Sequence, residues 1–240
     1  MALLALGCSE QLELGSDLLW TADHESGDLA EWTAAASGDT RLPSLDSTIT
    51  VSSDAAHRGR SALKLVNPAA WDNQEEGPEL FHVAGALGDA YYSAWFLLPE
   101  QYRLDPSMTL VRLRSRDPGG SELYNGEELQ LRSLSDGGYV LLVFSNNAGF
   151  LLEPVAEAPR IEPGRWFQLE ARYEPQSSGR LRVWLDGQLS YDLGDRPGAA
   201  GAEIVLSVCN VAETSSPAPL ELYVDDAAIS LSRVSPSGHW

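Results

Sequence analysis

Residues 164–189 read GRWFQLEARYEPQSSGRLRVWLDGQL, and this stretch decides the fold. Polar and apolar residues alternate in both of its halves. The apolar set is Phe167, Leu169, Ala171 and Tyr173 in the first half and Leu181, Val183 and Leu185 in the second. A period of two places alternate side chains on opposite faces of a β-strand. Because the segment EPQSSGR joins the halves, the stretch predicts an antiparallel hairpin with one buried face, followed by a tight turn at Asp186-Gly187.

Strand-like runs of the same kind continue outward from this hairpin in both directions. They cover residues 48–52, 61–66, 91–98, 109–116, 127–133, 139–145, 166–173, 181–186, 203–211 and 220–231. The segments between them are rich in Pro, Gly, Asn and Ser, and no stretch keeps the 3.6-residue period of a helix. The pattern predicts an all-β domain of two packed antiparallel sheets over residues 17–234, with a short tail at 235–240.

The composition bounds the core and the partners. A chain of 240 residues with 43% hydrophobic residues can bury one sizeable core. Its formal net charge is −19, from 35 acidic and 16 basic side chains. Nucleic-acid binding requires clustered positive charge, so this class of partner is excluded. The sequence contains no nucleotide-binding loop and no zinc-ligand spacing, and we expect no organic cofactor.

The two cysteines predict different roles. The run MALLALGC ends at Cys8 and resembles the end of a bacterial lipoprotein signal, although it is short and lacks a basic start. A start codon assigned too far downstream would explain both departures. The resemblance implies that residues 1–16 are a truncated signal and linker, and that the protein is exported with a lipid anchor on Cys8, at the cell surface or in the periplasm. Secretion without an anchor, or a merely apolar N-terminus, is the alternative. Cys209, in the apolar run IVLSVC, is predicted to be a buried thiol, with a Cys8–Cys209 disulfide as the alternative.

Four further segments carry a resemblance to a known family. They are DHESGDLAEW (23–32), ITVSSDAAHRGRSALKLV (49–66), YYSAWFLLPEQY (91–102) and LYVDDAAIS (222–230). In this order, and together with the hairpin, they resemble the concanavalin A-like jelly-roll superfamily. The similarity is to the branch that holds polysaccharide lyases and laminin-G-like glycan-binding domains. It implies a jelly-roll β-sandwich with a polysaccharide or other glycan as partner.

The resemblance also implies that the first and last strands pair. That pairing would bring acidic residues of the opening turn (Asp23, Glu25 and Asp28) near those of the closing strand (Asp225 and Asp226). Carboxylates are hard oxygen ligands that suit Ca²⁺, so we expect a structural calcium ion held by Asp23, Glu25 and Asp225. The alternative is that these residues serve as turn formers and solvated carboxylates.

The run TLVRLRSR (109–116) is the most unusual of the predicted strands, because arginine recurs at every second position. Arg112 and Arg114 share one strand face, and the next run places Gln130 and Arg132 on one face as well. A short connection predicts that the two strands are antiparallel neighbours. Guanidinium and amide groups on one exposed face suit the carboxylates and hydroxyls of an acidic glycan. The alternative is a solvated face on which arginine pairs with glutamate across the strands.

Aromatic residues and candidate bases complete the predicted site. Tyr91 and Trp95 share one strand face and are candidates for stacking on sugar rings, although most such residues in a sandwich serve packing. A polysaccharide lyase needs a base for the C5 proton, for which His82, Tyr124 and Tyr139 are the candidates. The Gln-x-His and Tyr-x-Lys-x-Gly-x-Tyr patterns of alginate lyases are absent.

Three functions follow from these residues and the resemblance. The leading hypothesis is non-catalytic binding of a polysaccharide, an acidic one on the strength of the arginines, through Arg112, Arg114, Gln130, Arg132, Trp95 and Tyr91. The second is a polysaccharide lyase that acts by β-elimination on a uronate-containing glycan. The third is a structural or adhesive surface lipoprotein, for which no residue gives specific support.

Overall fold

Alternating apolar residues form the inner faces of two packed antiparallel sheets in the computed structural model of the chain. The structure describes residues 17–33, 47–68, 77–120, 123–145, 150–152, 160–174, 178–196, 201–234 and 236. These residues contain fourteen strands, and none of them lies in a helix, so the described part of the chain offers no helix that could cross a membrane. The all-β prediction is confirmed.

An eight-stranded sheet and a six-stranded sheet make up the sandwich. In chain order, the strands are β1 (Leu18–Ala22), β2 (Thr48–Ser52), β3 (Ala62–Asn67), β4 (Glu79–Val83), β5 (Ala90–Leu97), β6 (Arg103–Arg116), β7 (Leu123–Ser133), β8 (Tyr139–Ser145), β9 (Phe150–Leu152), β10 (Phe167–Glu174), β11 (Arg180–Leu185), β12 (Gln188–Leu193), β13 (Glu203–Ser216) and β14 (Leu220–Ser230). The eight-stranded sheet runs β12-β11-β10-β5-β14-β3-β2, and β1 pairs with β14 beside this path. The six-stranded sheet runs β4-β13-β6-β7-β8-β9.

The predicted hairpin is formed by β10 and β11. Its register pairs Leu169 with Leu185 and continues to Glu174 opposite Arg180. The turn that follows β11 has left-handed backbone at both Asp186 (φ 48°) and Gly187 (φ 79°). Two consecutive positive φ values are what a two-residue hairpin turn of type I′ requires, so the Asp-Gly prediction is confirmed.

The core lies between the sheets and is continuous. The inner face of β10 buries Phe167, Leu169, Ala171 and Tyr173, as the alternation predicted. The six-stranded sheet faces them with apolar residues of β6, β7, β8 and β13, among them Leu113, Leu129, Leu141 and Leu206. The side chains between these positions point away from the core on each sheet.

All ten predicted strands coincide with observed ones, and four strands were not predicted. The four are β1, β4, β9 and β12, each of three to six residues. The predicted pairing of the first and last strands is confirmed, because β1 pairs antiparallel with β14. Cys209 is a free thiol and is buried, as predicted. Cys8, with residues 1–16, lies outside the described residues.

Candidate functional site

Arg112 lies at the centre of a polar cluster on the outer face of the six-stranded sheet. It is opposite Ser207 of β13 on one side and Glu128 of β7 on the other. Its Nη1 donates to Glu79 Oε2 at 2.7 Å, and its Nε donates to Glu128 Oε1 at 3.1 Å. One guanidinium group therefore links β4, β6 and β7 through two charge-assisted hydrogen bonds.

Two further arginines continue the row along β6. Arg114 Nη2 forms an ion pair with the Glu79 carboxylate and donates to Ser207 Oγ at 3.2 Å. Arg116 Nε donates to Glu203 Oε2 at 2.7 Å. Each of these arginines therefore faces a carboxylate of this same chain, and Glu79 serves two of them.

The side-chain amide of Gln130 extends the cluster along β7. Its Nε2 donates to Glu128 Oε2 at 3.0 Å, and Thr109 Oγ1 donates to the same oxygen at 3.0 Å. Ser107 Oγ donates to Gln130 Oε1 at 2.8 Å. Arg132 follows on the same face of β7, two residues further along the strand. We call Glu79, Arg112, Arg114, Glu128 and Gln130 the arginine cluster.

Local irregularities in the β6–β7 ladder position this cluster. The register shifts between Thr109 and Val111 and again between Leu113 and Ser115. The first shift is why Thr109 and Arg112, three residues apart, both reach Glu128 on one face. A β-carbon at Gly126 would lie 1.8 Å from the Leu113 carbonyl oxygen, so only glycine permits this approach of the two strands.

The centre of this face is more buried than its margins. Arg112, Glu128 and Gln130 are only 8%, 6% and 5% exposed, although they point away from the core. Phe81 on β4 and Phe144 on β8, which flank them, are half-buried. Buried polar groups are costly unless partnered, and the ion pairs and hydrogen bonds supply those partners. The face therefore carries a shielded row of partnered polar side chains between two half-buried aromatic rings.

The predicted stacking residues lie on the opposite side of the sandwich. Tyr91 and Trp95 share the outer face of β5, in the eight-stranded sheet. The His57 ring stacks on Trp95 with the ring centroids 3.8 Å apart, and the Arg172 guanidinium lies 5.5 Å from the centroid of Tyr91. The structure thus brings Arg112, Arg114, Gln130 and Arg132 together but separates them from the two aromatic residues, each of which is partly covered by this chain.

Two of the predicted bases are tyrosines outside the cluster. Tyr139 is fully buried and its hydroxyl accepts a hydrogen bond from the Tyr102 backbone N–H at 2.6 Å, while burial raises the pKa of Tyr139. Tyr124 is exposed and donates to Asp117 Oδ2 at 2.6 Å. A core phenol with a raised pKa is a poor base, since it holds its proton at neutral pH.

The third predicted base, His82, lies on the inner side of edge strand β4. It is opposite Leu206, a core residue, and its ring stacks on Trp20 with the ring centroids 4.2 Å apart. Its Nδ1 is 3.1 Å from the Thr33 hydroxyl. Burial lowers the pKa of His82 to about 4. His82 therefore does not share the outer face of Arg112 and Gln130, because neighbouring residues of β4 alternate between the two faces.

The carboxylates predicted to bind calcium act here as acceptors for backbone N–H groups. Asp225 accepts from His57 and Arg58 at 2.8 and 3.2 Å, and Glu25 accepts from Arg60 and Ser61 at 2.7 and 2.9 Å. Asp23 accepts from Glu25 itself at 3.0 Å. Within the described ranges, no group of three or more His, Cys, Asp or Glu side chains is arranged to hold a metal ion. The carboxylates of Asp23, Glu25 and Asp225 do not form a calcium coordination shell in this structure. Calcium binding therefore stays a prediction.

Sequence reasoning missed Glu79, the carboxylate that two arginines share. It lies at the start of β4, a five-residue strand whose residues are all half-buried, so the sequence around it does not alternate. Its place in the cluster comes from the pairing of β4 with β13, which sets Glu79 opposite Cys209. Burial raises the pKa of the neighbouring Cys209 thiol to about 11. No local signal in the sequence could have identified Glu79.

Comparison with known proteins finds relatives by structure only. Neither a protein-family model nor a curated protein matches this chain. The endo-β-1,4-glucuronan lyase from the fungus Trichoderma reesei superposes with a TM-score of 0.64 at 13% identity, covering 92% of this chain and 100% of that one. The cellulose-induced protein Cip1 gives 0.59 at 20% identity, covering 90% and 98%.

A third solved structure is a variant of the alginate lyase Aly36B in complex with alginate tetrasaccharide. It gives a TM-score of 0.53 at 9% identity and covers 74% of this chain and 84% of the lyase. At such identities the likeness bears on fold and not on activity. The chain has the concanavalin A-like jelly-roll fold that its sequence resembles.

Proposed function

We propose that this protein binds a polysaccharide along the outer face of the six-stranded sheet, with the arginine cluster as the floor of the site. The observation that carries the proposal is the buried polar network on the side of the sheet that faces away from the core. Arg112 alone is held by Glu79 and Glu128 at 2.7 and 3.1 Å. Side chains fixed in this way present donors and acceptors to a ligand without further ordering cost.

Two features support a glycan as the ligand. Glu128, Gln130 and Thr109 carry acceptors and donors of the kinds that sugar hydroxyls require, and the margins at Phe81 and Phe144 are apolar. The solved structures with this fold include proteins whose names state action on glucuronan and on alginate. Binding at a preorganised face needs no catalytic base, which agrees with the position of the predicted bases outside the cluster.

Affinity electrophoresis in gels that contain soluble polysaccharides, followed by calorimetry on each positive ligand, tests the proposal. We expect Gln130→Ala to weaken binding by roughly tenfold, because one buried hydrogen-bonding group is lost. Arg180→Ala is the matched control, since Arg180 pairs with Asp192 on the other sheet and is exposed. Retained affinity in Gln130→Ala, or absence of binding to every glycan, would contradict the proposal.

The same panel tests the elimination reaction. A lyase that acts on uronates creates a C4–C5 double bond that absorbs ultraviolet light at about 235 nm, and such a reaction requires a base near the neutralising groups. We expect binding without this absorbance change. A rise in absorbance that Gln130→Ala abolishes would instead identify the cluster as a catalytic site.

We further propose that the protein is exported and carries a lipid on Cys8. The support is the segment Leu4-Ala5-Leu6-Gly7-Cys8, followed by polar residues. Expression in a bacterium from a gene that keeps the codons upstream of Met1, with radiolabelled palmitate in the medium, tests it. We expect label in the wild-type protein and none in Cys8→Ser, and an unlabelled wild-type protein would remove the lipoprotein proposal.

A further inference from the structure

We infer that the site takes an uncharged polysaccharide rather than a polyuronate. The inference rests on the proposed function and concerns the class of its ligand. The arginines read from the sequence favour an acidic glycan, because a guanidinium group is a natural partner for a carboxylate. In the structure, glutamates of the protein itself are already the carboxylate partners of Arg112 and Arg114.

Three arginines of this face already have carboxylate partners in the protein. Arg112 is bonded to both Glu79 and Glu128, and Arg114 is paired with Glu79. At the end of the row Arg116 is bonded to Glu203 at 2.7 Å. A uronate carboxylate that approached these arginines would have to displace a glutamate that is itself shielded from water.

Displacement is unfavourable because it leaves a buried carboxylate without its counterion. The side chains of Glu79 and Glu128 are 9% and 8% exposed, so neither can be solvated simply by turning into water. Breaking a buried ion pair is strongly destabilising for this reason. An added carboxylate would also bring a third negative charge close to two existing ones, and like charges at an interface select against a partner.

An uncharged sugar meets no such penalty. Its hydroxyls can accept a hydrogen bond from Arg114, whose side chain is 14% exposed, while the ion pair with Glu79 stays intact, because a neutral hydroxyl does not replace the counterion. The half-buried rings of Phe81 and Phe144 at the margins suit the apolar C–H faces of a sugar without a carboxylate.

The electrostatic field of the whole protein also disfavours a polyuronate. With 35 acidic and 16 basic side chains, the protein carries a formal charge of −19. A polyuronate carries one negative charge per sugar, so the two polymers repel each other at low ionic strength. A protein that selected polyuronates would be expected to present an excess of positive charge around the site, as other binders of polyanions do.

Matched glycan pairs test this inference with the linkage held constant. We would compare β-1,4-glucan with its C6-oxidised glucuronan, and β-mannan with polymannuronate, as soluble oligosaccharides of equal length in calorimetry at low and moderate salt. We expect the neutral member to bind at least about tenfold more tightly in any pair that binds, with a smaller difference at moderate salt. Equal or tighter binding of the charged member would overturn the inference while leaving glycan binding intact.

A variant with the carboxylates removed provides a gain-of-function arm. In Glu79→Gln/Glu128→Gln the amides keep the shape but release Arg112 and Arg114 from their ion pairs. We expect this variant to lose its preference for the neutral glycan and to bind the uronate partner more tightly than wild type does. Glu128→Gln alone serves if the double variant does not fold, as judged by circular dichroism. Unchanged preference in a folded variant would overturn the inference, and absence of binding to both members of every pair would instead contradict the proposed function, with which the inference also falls.

Discussion

At the scale of single residues, Arg112 determines the character of the candidate site. The side chain is 10% exposed and lies between the carboxylates of Glu79 and Glu128. Arginine residues on sheet exteriors are ordinarily solvated and contribute little to stability. Arg112 differs because its partners are shielded from water, so its removal takes the paired guanidinium from the buried carboxylate of Glu128 and leaves Glu79 with Arg114.

We therefore predict that Arg112→Met destabilises the fold by about 3–5 kcal/mol, the typical result of breaking a buried ion pair from one side. Arg180→Met should change stability by about 1 kcal/mol or less, because the Arg180 side chain is 45% exposed and its pair with Asp192 is screened. Urea unfolding of both variants measures the difference. Similar losses in the two variants would mean that Arg112 is solvated like an ordinary surface residue.

His82 gives a prediction for pH dependence. Burial lowers the pKa of His82 from 6.5 to about 4 in the folded state. The unfolded chain then binds the proton more readily than the folded chain between these values, so stability falls as the pH drops from about 6.5 toward 4. In His82→Asn, which keeps a hydrogen-bonding group near the Thr33 hydroxyl, we expect a flatter stability profile over this range in urea unfolding at several pH values. An identical profile in the two proteins would assign the acid sensitivity to other groups.

At the scale of elements, the outer face of the eight-stranded sheet is covered by the segment that follows β14. Arg233 Nε donates to Glu170 Oε2 at 2.9 Å, and the Val234 N–H donates to Glu170 Oε1 at 2.5 Å. Gln168 Nε2 donates to the Val234 carbonyl at 3.2 Å. The two outer faces of the sandwich thus differ, since one carries the arginine cluster and the other is crossed at β10 by residues 233–234.

Removal of this covering segment should destabilise the sandwich. A chain that ends at Ser230 loses six hydrogen bonds made by residues 231–234 and the burial of Val234, a loss of about 3 kcal/mol or more. A chain that ends at Pro236 keeps these contacts and is the matched control. Thermal unfolding followed by circular dichroism measures both, and equal midpoints would show that the segment adds nothing to the stability of the sheet.

At the scale of the whole molecule, the first and last strands are tied together. β1 pairs with β14, and both Asp225 and Glu25 hold backbone N–H groups of the loop between β2 and β3. The carboxylates that were predicted to bind calcium therefore already join three parts of the chain that are distant in sequence. A bound ion would act on the same junction.

If Ca²⁺ binds at this junction, adding it to protein treated with EDTA should raise the melting temperature, because an ion that binds only the folded state stabilises it by mass action. Asp225→Asn should abolish the response. An unchanged melting temperature in the wild-type protein would mean that these carboxylates serve the backbone alone.

The sequence by itself determined the strands, the Asp186-Gly187 turn and the outward face that Arg112, Arg114 and Gln130 share. Period-two alternation and turn chemistry are local properties, so they can be recognised in the sequence without knowledge of any distant residue. The jelly-roll fold was implied by the family resemblance that several such segments carry in their order. Short strands such as β4 were beyond this reasoning, because five half-buried residues show no alternation.

Only the tertiary structure decided which side chains meet. Register along β4 places Glu79 on the face of Arg112 and His82 on the opposite face, and sheet order places Trp95 on the other side of the sandwich. Contacts of this kind join strands that are tens of residues apart, so no local pattern encodes them. The charge on each arginine is evident in the sequence, but its neutralisation by Glu79 and Glu128 depends on strand pairing, and that neutralisation is what turns the expected ligand from an acidic glycan to an uncharged one.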